Sequence, residues 1–109
     1  MLKKDYRLKV LKKNNGAKTI STFFFTLRFW ENGESLSKFV FIISKKIDKK
    51  AVIRNKIKRS LARALKEILT EIKPGYNFIF IVKKEILEKS QKDLEKNLKE
   101  TFKINNLLK

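Results

Sequence analysis

Two short runs that are apolar on both faces, with one long amphipathic helix between them, constrain this chain more than any other feature. The runs are Lys38–Ser44, carrying Phe39-Val40-Phe41-Ile42-Ile43, and Tyr76–Val82, carrying Phe78-Ile79-Phe80-Ile81. A strand that is apolar on both sides belongs inside a sheet rather than on its surface. Between the runs, Ile53, Ile57, Leu61, Ala64, Leu65, Ile68 and Ile72 recur three or four residues apart. That spacing predicts a helix over 51–72 with one side packed on the sheet. Lys73-Pro74-Gly75 ends it. A strand–helix–strand unit of this kind implies that its two strands lie parallel.

The rest of the chain extends that unit. The first fifteen residues are basic, with Leu2, Tyr6 and Val10 four apart, the spacing of a short amphipathic helix ending near Asn14-Asn15-Gly16. From Ile20 to Trp30 the residues are β-branched and aromatic with period two. Phe23, Phe25, Leu27 and Phe29 form a face that reads as core; Phe24, Thr26, Arg28 and Trp30 form the other. Glu31-Asn32-Gly33-Glu34 carries the Asn-Gly pair favoured in a tight hairpin turn, and the second strand follows it. Ser90-Gln91-Lys92-Asp93 has the form of a capping box with Asp in place of Glu. It opens a last helix that packs through Leu94, Leu98 and Phe102. The predicted order is α-β-β-α-β-α, an α+β sandwich with one mixed sheet and helices on one face. At 109 residues the chain is read as a single domain over 1–109.

The residue inventory excludes much chemistry. There is no His and no Cys, which removes the usual general base, the thiol nucleophile, soft metal ligands and any disulfide partner. Glu85, Glu88, Asp93, Glu95 and Glu100 alternate with Lys, the pattern of a solvated face rather than a metal site. Glu67 and Glu71 sit beside Lys66 and Lys73 and read the same way. No catalytic residue, metal site or protein-bound cofactor is predicted. No apolar run is long enough to span a membrane, so no membrane partner and a cytoplasmic location are expected.

Charge points the other way. There are 28 Lys and Arg against 11 Asp and Glu, a net charge of +17. Self-repulsion at that charge disfavours the compact state, and a polyanionic partner offsets it through counterion release. The excess is concentrated: Lys45, Lys46, Lys49, Lys50, Arg54, Lys56, Lys58, Arg59 and Arg63 face a single acid, Asp48. On a helical wheel, Lys58, Asn55, Lys66, Arg59, Arg63 and Lys56 fill the arc opposite Ile57, Leu61 and Ile68, with Arg54 at its edge. Arg brings a planar fork for phosphate, Lys a point charge, and Asn can bond a base edge or sugar. A merely solvated Lys-rich helix is the plainer alternative, but it normally carries acids among its lysines, and here they are absent.

Ser44-Lys45-Lys46, followed by Ala51-Val52-Ile53-Arg54-Asn55-Lys56-Ile57-Lys58-Arg59, resembles the signature of the bacterial ribonuclease P protein family. Weaker likenesses extend over most of the chain: Asp5-Tyr6-Arg7-Leu8 near the start, Pro74-Gly75 with the Phe78–Val82 strand, and Leu94 to Leu98. The family commonly has another Arg where this chain has Ala62, and Arg63 lies one place on.

The resemblance implies a ribosomal protein S5 domain 2-like fold with a left-handed strand–helix–strand crossover. It implies two partners: a large catalytic RNA, which performs hydrolysis with its own Mg²⁺, and the precursor tRNA whose 5′ leader is removed. Arg54, Lys56, Lys58, Arg59 and Arg63 would bind RNA with Asn55 as a polar reader, and Lys45, Lys46, Lys49 and Lys50 would extend the basic track. Phe24, Thr26 and Arg28 would line a leader cleft between the basic helix and the open sheet face. Phe24 packing beneath the first helix is the competing reading. A ribosomal or other structural RNA-binding protein with no role in cleavage is the alternative function. A free-standing metal-dependent nuclease is more remote, since no carboxylates cluster near the basic face.

Overall fold

Strand β4 (Tyr76–Val82) joins the antiparallel and the parallel parts of the sheet. In the computed structural model, which describes residues 16–109, β4 runs antiparallel to β2 (Phe25–Glu31) and parallel to β3 (Lys38–Ile42). A short strand, β1 (Lys18–Ser21), pairs antiparallel with the other edge of β2, giving the order β1-β2-β4-β3. Helix α1 (Ala51–Ile68) and a 3₁₀ turn at Leu69–Glu71 connect β3 to β4. A second 3₁₀ turn, Lys84–Glu88, leads into α2 (Gln91–Ile104).

Alternation along the strands builds the core. Phe25, Leu27 and Phe29 of β2, Phe39 of β3 and Phe78, Phe80 and Val82 of β4 join one buried cluster. Helix α1 adds Ile57, Leu61, Leu65 and Ile68 to it, and α2 adds Leu94, Leu98 and Phe102. Phe78 stacks on Phe39 at 5.2 Å between ring centroids and lies 5.1 Å from Phe102. These contacts tie β3, β4 and α2 together, each ring pair contributing about 0.5–1.5 kcal/mol beyond its burial. Both helices therefore cover one face of a mixed sheet, as the hydrophobic pattern predicts.

The predicted hairpin between the first two strands is not formed. Strand β4 lies between β2 and β3, so the Asn32-Gly33 turn leads away from β2 instead of folding back on it. Asn32 builds that loop: its side-chain oxygen accepts from the Glu34 N–H at 2.7 Å, and its amide donates to the Asn77 side chain on β4 at 2.9 Å. Gly33 adopts φ of 70°, the left-handed region where a side chain is disfavoured.

The single strand expected over Ile20–Trp30 is two strands. The Thr22 hydroxyl accepts from the Phe24 and Phe25 N–H groups, each at 3.2 Å, and donates to the Phe25 carbonyl at 3.0 Å. This hydroxyl-built turn breaks the alternation, so parity counted through it fails. The long helix stops at Ile68 and tightens to 3₁₀ where the sequence predicts four more helical residues. The expected helix over the first fifteen residues lies outside the described residues.

Candidate nucleic-acid interface

The loop before α1 is held as a ledge. Ile47, in the middle of the basic run, is buried and joins the core cluster. The Asp48 carboxylate accepts from the Lys50 N–H at 2.8 Å. One guanidinium nitrogen of Arg54 reaches back from the helix to the Asp48 and Lys49 carbonyls, at 3.0 and 2.9 Å. Lys45, Lys46, Lys49 and Lys50 are consequently exposed on a fixed backbone.

Helix α1 presents Asn55, Lys56, Arg59, Arg63 and Lys66 to solvent. Lys58 and Arg54 are half-buried. Ala62, one turn beyond Lys58, is 1 % exposed, so the buried stripe is wider than the wheel predicts and Lys58 lies on its border. The small side chain of Ala62 matches its burial. Arg54, expected as a phosphate contact, already spends part of its fork on the ledge. Its structural work would persist in the absence of any ligand.

No cation of α1 forms an ion pair among the described residues, where Lys38–Glu34 at 3.0 Å is the one that occurs. No side chain caps α1, and its first turn holds no acid. The positive end of the helix dipole therefore adds to four neighbouring lysines rather than opposing them. Helix α2 shows the ordinary arrangement in the same molecule: Ser90 and Asp93 form the predicted capping box. The arrangement at α1 attracts phosphate, since open N–H groups and positive charge converge there.

A second surface is the sheet face that α1 and α2 do not cover. Thr26 and Arg28 alternate with the core residues Phe25, Leu27 and Phe29, so they point to that face. Their neighbours across β4 are Ile81 and Ile79. The Arg28 Nε is buried and has no hydrogen-bond partner, a state that costs about 1–3 kcal/mol or more for a charged group. Two corrections follow. Helix α1 lies on the opposite side of the sheet from Thr26 and Arg28, so the cleft expected between the basic helix and the open face is not formed. Phe24 is not on that face either: it is 4 % exposed and belongs to the core cluster. The Thr22 turn rotates it inward, and its backbone carbonyl accepts from the Lys83 N–H at 2.9 Å.

Sequence reasoning missed Ile47 and Asp48 as the builders of the ledge. An isoleucine and an aspartate inside a run of lysines were the available signal. No group of three or more His, Cys, Asp or Glu among the described residues is placed to hold a metal ion. No helix among them is long and apolar enough to cross a membrane.

The fold and this surface define a class, a small mixed-sheet α+β protein carrying an uncapped cationic helix. The family described as Ribonuclease P matches residues 2–105, and the chain belongs to it. It is 38 % identical over 98 residues to the ribonuclease P protein component of Mycoplasma capricolum, spanning 83 % of this chain and 89 % of that one. It is 30 % identical over 104 residues to the corresponding protein of Caldanaerobacter subterraneus, spanning 92 % and 87 %. The RNase P protein of Staphylococcus aureus has the same fold, with a TM-score of 0.77 at 22 % identity over 95 % of this chain and 98 % of that one. So does that of Thermotoga maritima, with a TM-score of 0.70 at 23 % identity over 84 % and 82 %.

Proposed function

We infer that this chain is the RNA-binding protein subunit of a ribonuclease P ribonucleoprotein, acting as one domain in the cytoplasm. The observation that carries the reading is the unpaired, uncapped cationic surface of α1 and its ledge. Lys45, Lys46, Lys49, Lys50, Lys56, Arg59 and Arg63 contact phosphates of the catalytic RNA, with Lys58 at the border and Asn55 at a base edge or sugar. Arg54 holds the ledge and offers its remaining donors. The 5′ leader of precursor tRNA crosses the sheet face that α1 and α2 leave uncovered, where the half-buried Arg28 brings a guanidinium and Thr26 a hydroxyl. Hydrolysis belongs to the RNA and its Mg²⁺; the protein binds no cofactor and supplies cations where phosphates crowd together.

Reconstitution with the cognate catalytic RNA tests this. Precursor tRNA is expected to be cleaved to its mature 5′ end at lower Mg²⁺ with the protein than without it. Tight RNA binding that leaves cleavage unchanged at every Mg²⁺ concentration would instead favour a structural RNA-binding protein.

A further inference from the structure

The cations of α1 do not all face one way. Lys56 and Arg63 turn toward the chain entering α2, and there they form one rim of a groove of about 450 Å³; Lys89 stands on the other rim. Its floor is apolar, with Ile57 and Leu94 buried and Leu87 at 48 % exposure. The walls are tied together, because the Gln91 side-chain amide donates to the Ser60 carbonyl across the groove at 2.9 Å. The groove is thus preformed, and its size falls in the range of roughly 300–1,000 Å³ usual for small-ligand sites.

Its charge is one-sided. No carboxylate among the described residues lines it, although Glu85, Glu88 and Asp93 are near in sequence. Asp93 is turned to the Ser90 N–H and hydroxyl, at 3.4 and 3.1 Å. Beyond the rim, the Lys89 ammonium lies 5.8 Å from the ring of Phe23, which is 45 % exposed. Cations around an apolar floor complement a chain that alternates phosphates with flat apolar groups. Single-stranded RNA has that chemistry, whereas the bases of a duplex stay stacked and cannot enter.

We propose that the groove between α1 and the start of α2 seats an unpaired nucleotide of the catalytic RNA, with its base on Leu87 and its flanking phosphates on Lys56, Arg63 and Lys89. This rests on the functional reading above. The catalytic RNA is the source because Lys56 and Arg63 belong at once to the groove and to the basic helix. The leader lies on the far side of the sheet.

The chain has no cysteine, so Leu87→Cys carrying a photoreactive group gives a single crosslinking position in the reconstituted holoenzyme. Crosslinks are expected at unpaired nucleotides of the catalytic RNA. Leu87→Ser combined with Lys89→Ala, both exposed sites, is expected to weaken binding of that RNA roughly five- to tenfold. It should flatten the salt dependence by one phosphate contact, a slope change of about 0.7. Binding of precursor tRNA by the assembled holoenzyme should not change. Crosslinks confined to paired nucleotides or to the leader overturn the proposal. So does unchanged RNA affinity in the double variant while Arg59→Ala lowers it, an outcome that leaves the functional reading intact. If both variants are silent, the groove and the functional reading fail together.

Discussion

Arg54 and Arg59 sit five residues apart on one helix and do different work. Arg59 is exposed with no partner, so Arg59→Ala should keep the melting temperature and weaken RNA binding. The slope of log K against log salt should flatten by roughly 0.7–0.9 for the lost phosphate contact. Arg54→Ala removes the two bonds to the Asp48 and Lys49 carbonyls as well. Its distinguishing readout is faster amide exchange over 45–50, which Arg59→Ala leaves alone; equal exchange in both variants would show that the ledge stands without Arg54. Phe24 is the third informative residue. Because it is buried in the core cluster, Phe24→Ala should cost about 3–5 kcal/mol of folding stability and lower the affinity for every ligand alike. A normal melt with a selective loss of leader-bearing tRNA would return Phe24 to a cleft. Its position was not legible in the sequence, because strand parity carries no information through a turn made by a neighbour's hydroxyl. Thr26 and Arg28, beyond that turn, were read on the correct face.

The two helices differ most at their starts. Helix α2 opens on a capping box that its four residues announced, and Ser90→Ala should cost about 1 kcal/mol of folding stability, read in a thermal melt. Helix α1 opens on Lys50, whose backbone is extended at φ −77° and ψ 121°, as a cap requires, but whose side chain caps nothing. Lys50→Asp should therefore stabilise the free protein by about 1 kcal/mol, raising its melting temperature by roughly 4–8 °C. The same change should weaken RNA binding, since it places a negative charge where phosphate is expected. A variant that gains stability and binds as well as wild type would show that this end of α1 does not meet RNA. Both helix starts were legible, because caps and charge are local signals. Strand neighbours are not local: Asn32-Gly33 reads as a hairpin, and only the tertiary demand of β4 for two partners overrides it. The parallel pairing of β3 and β4 was legible because a strand–helix–strand unit returns its second strand in the direction of the first; the two-sided apolar pattern of β3 misled, since it reads as a central strand and β3 stands at the sheet edge.

At the scale of the whole molecule, the net charge is +17 on 109 residues, and among the described residues a single ion pair, Lys38–Glu34, compensates any of it internally. The purified protein should not cleave precursor tRNA by itself, checked in nuclease-free assays with Mg²⁺; metal-dependent cleavage without RNA would contradict the assignment of hydrolysis to the RNA. The sheet order has a further consequence for how the chain is made. Strands β2 and β3 emerge from synthesis well before β4, yet each pairs through β4 and not with the other. Phe25 must wait for Val82, and Phe39 for Phe78. A chain truncated before β4 keeps only the β1–β2 pair, too little sheet for the apolar stripe of α1 to cover, so it should show no cooperative melt. Non-local pairing of this kind is slow to nucleate. The nascent basic helix thus emerges while its own apolar side is still uncovered, and on the proposed function its assembly with RNA competes in time with completion of the fold.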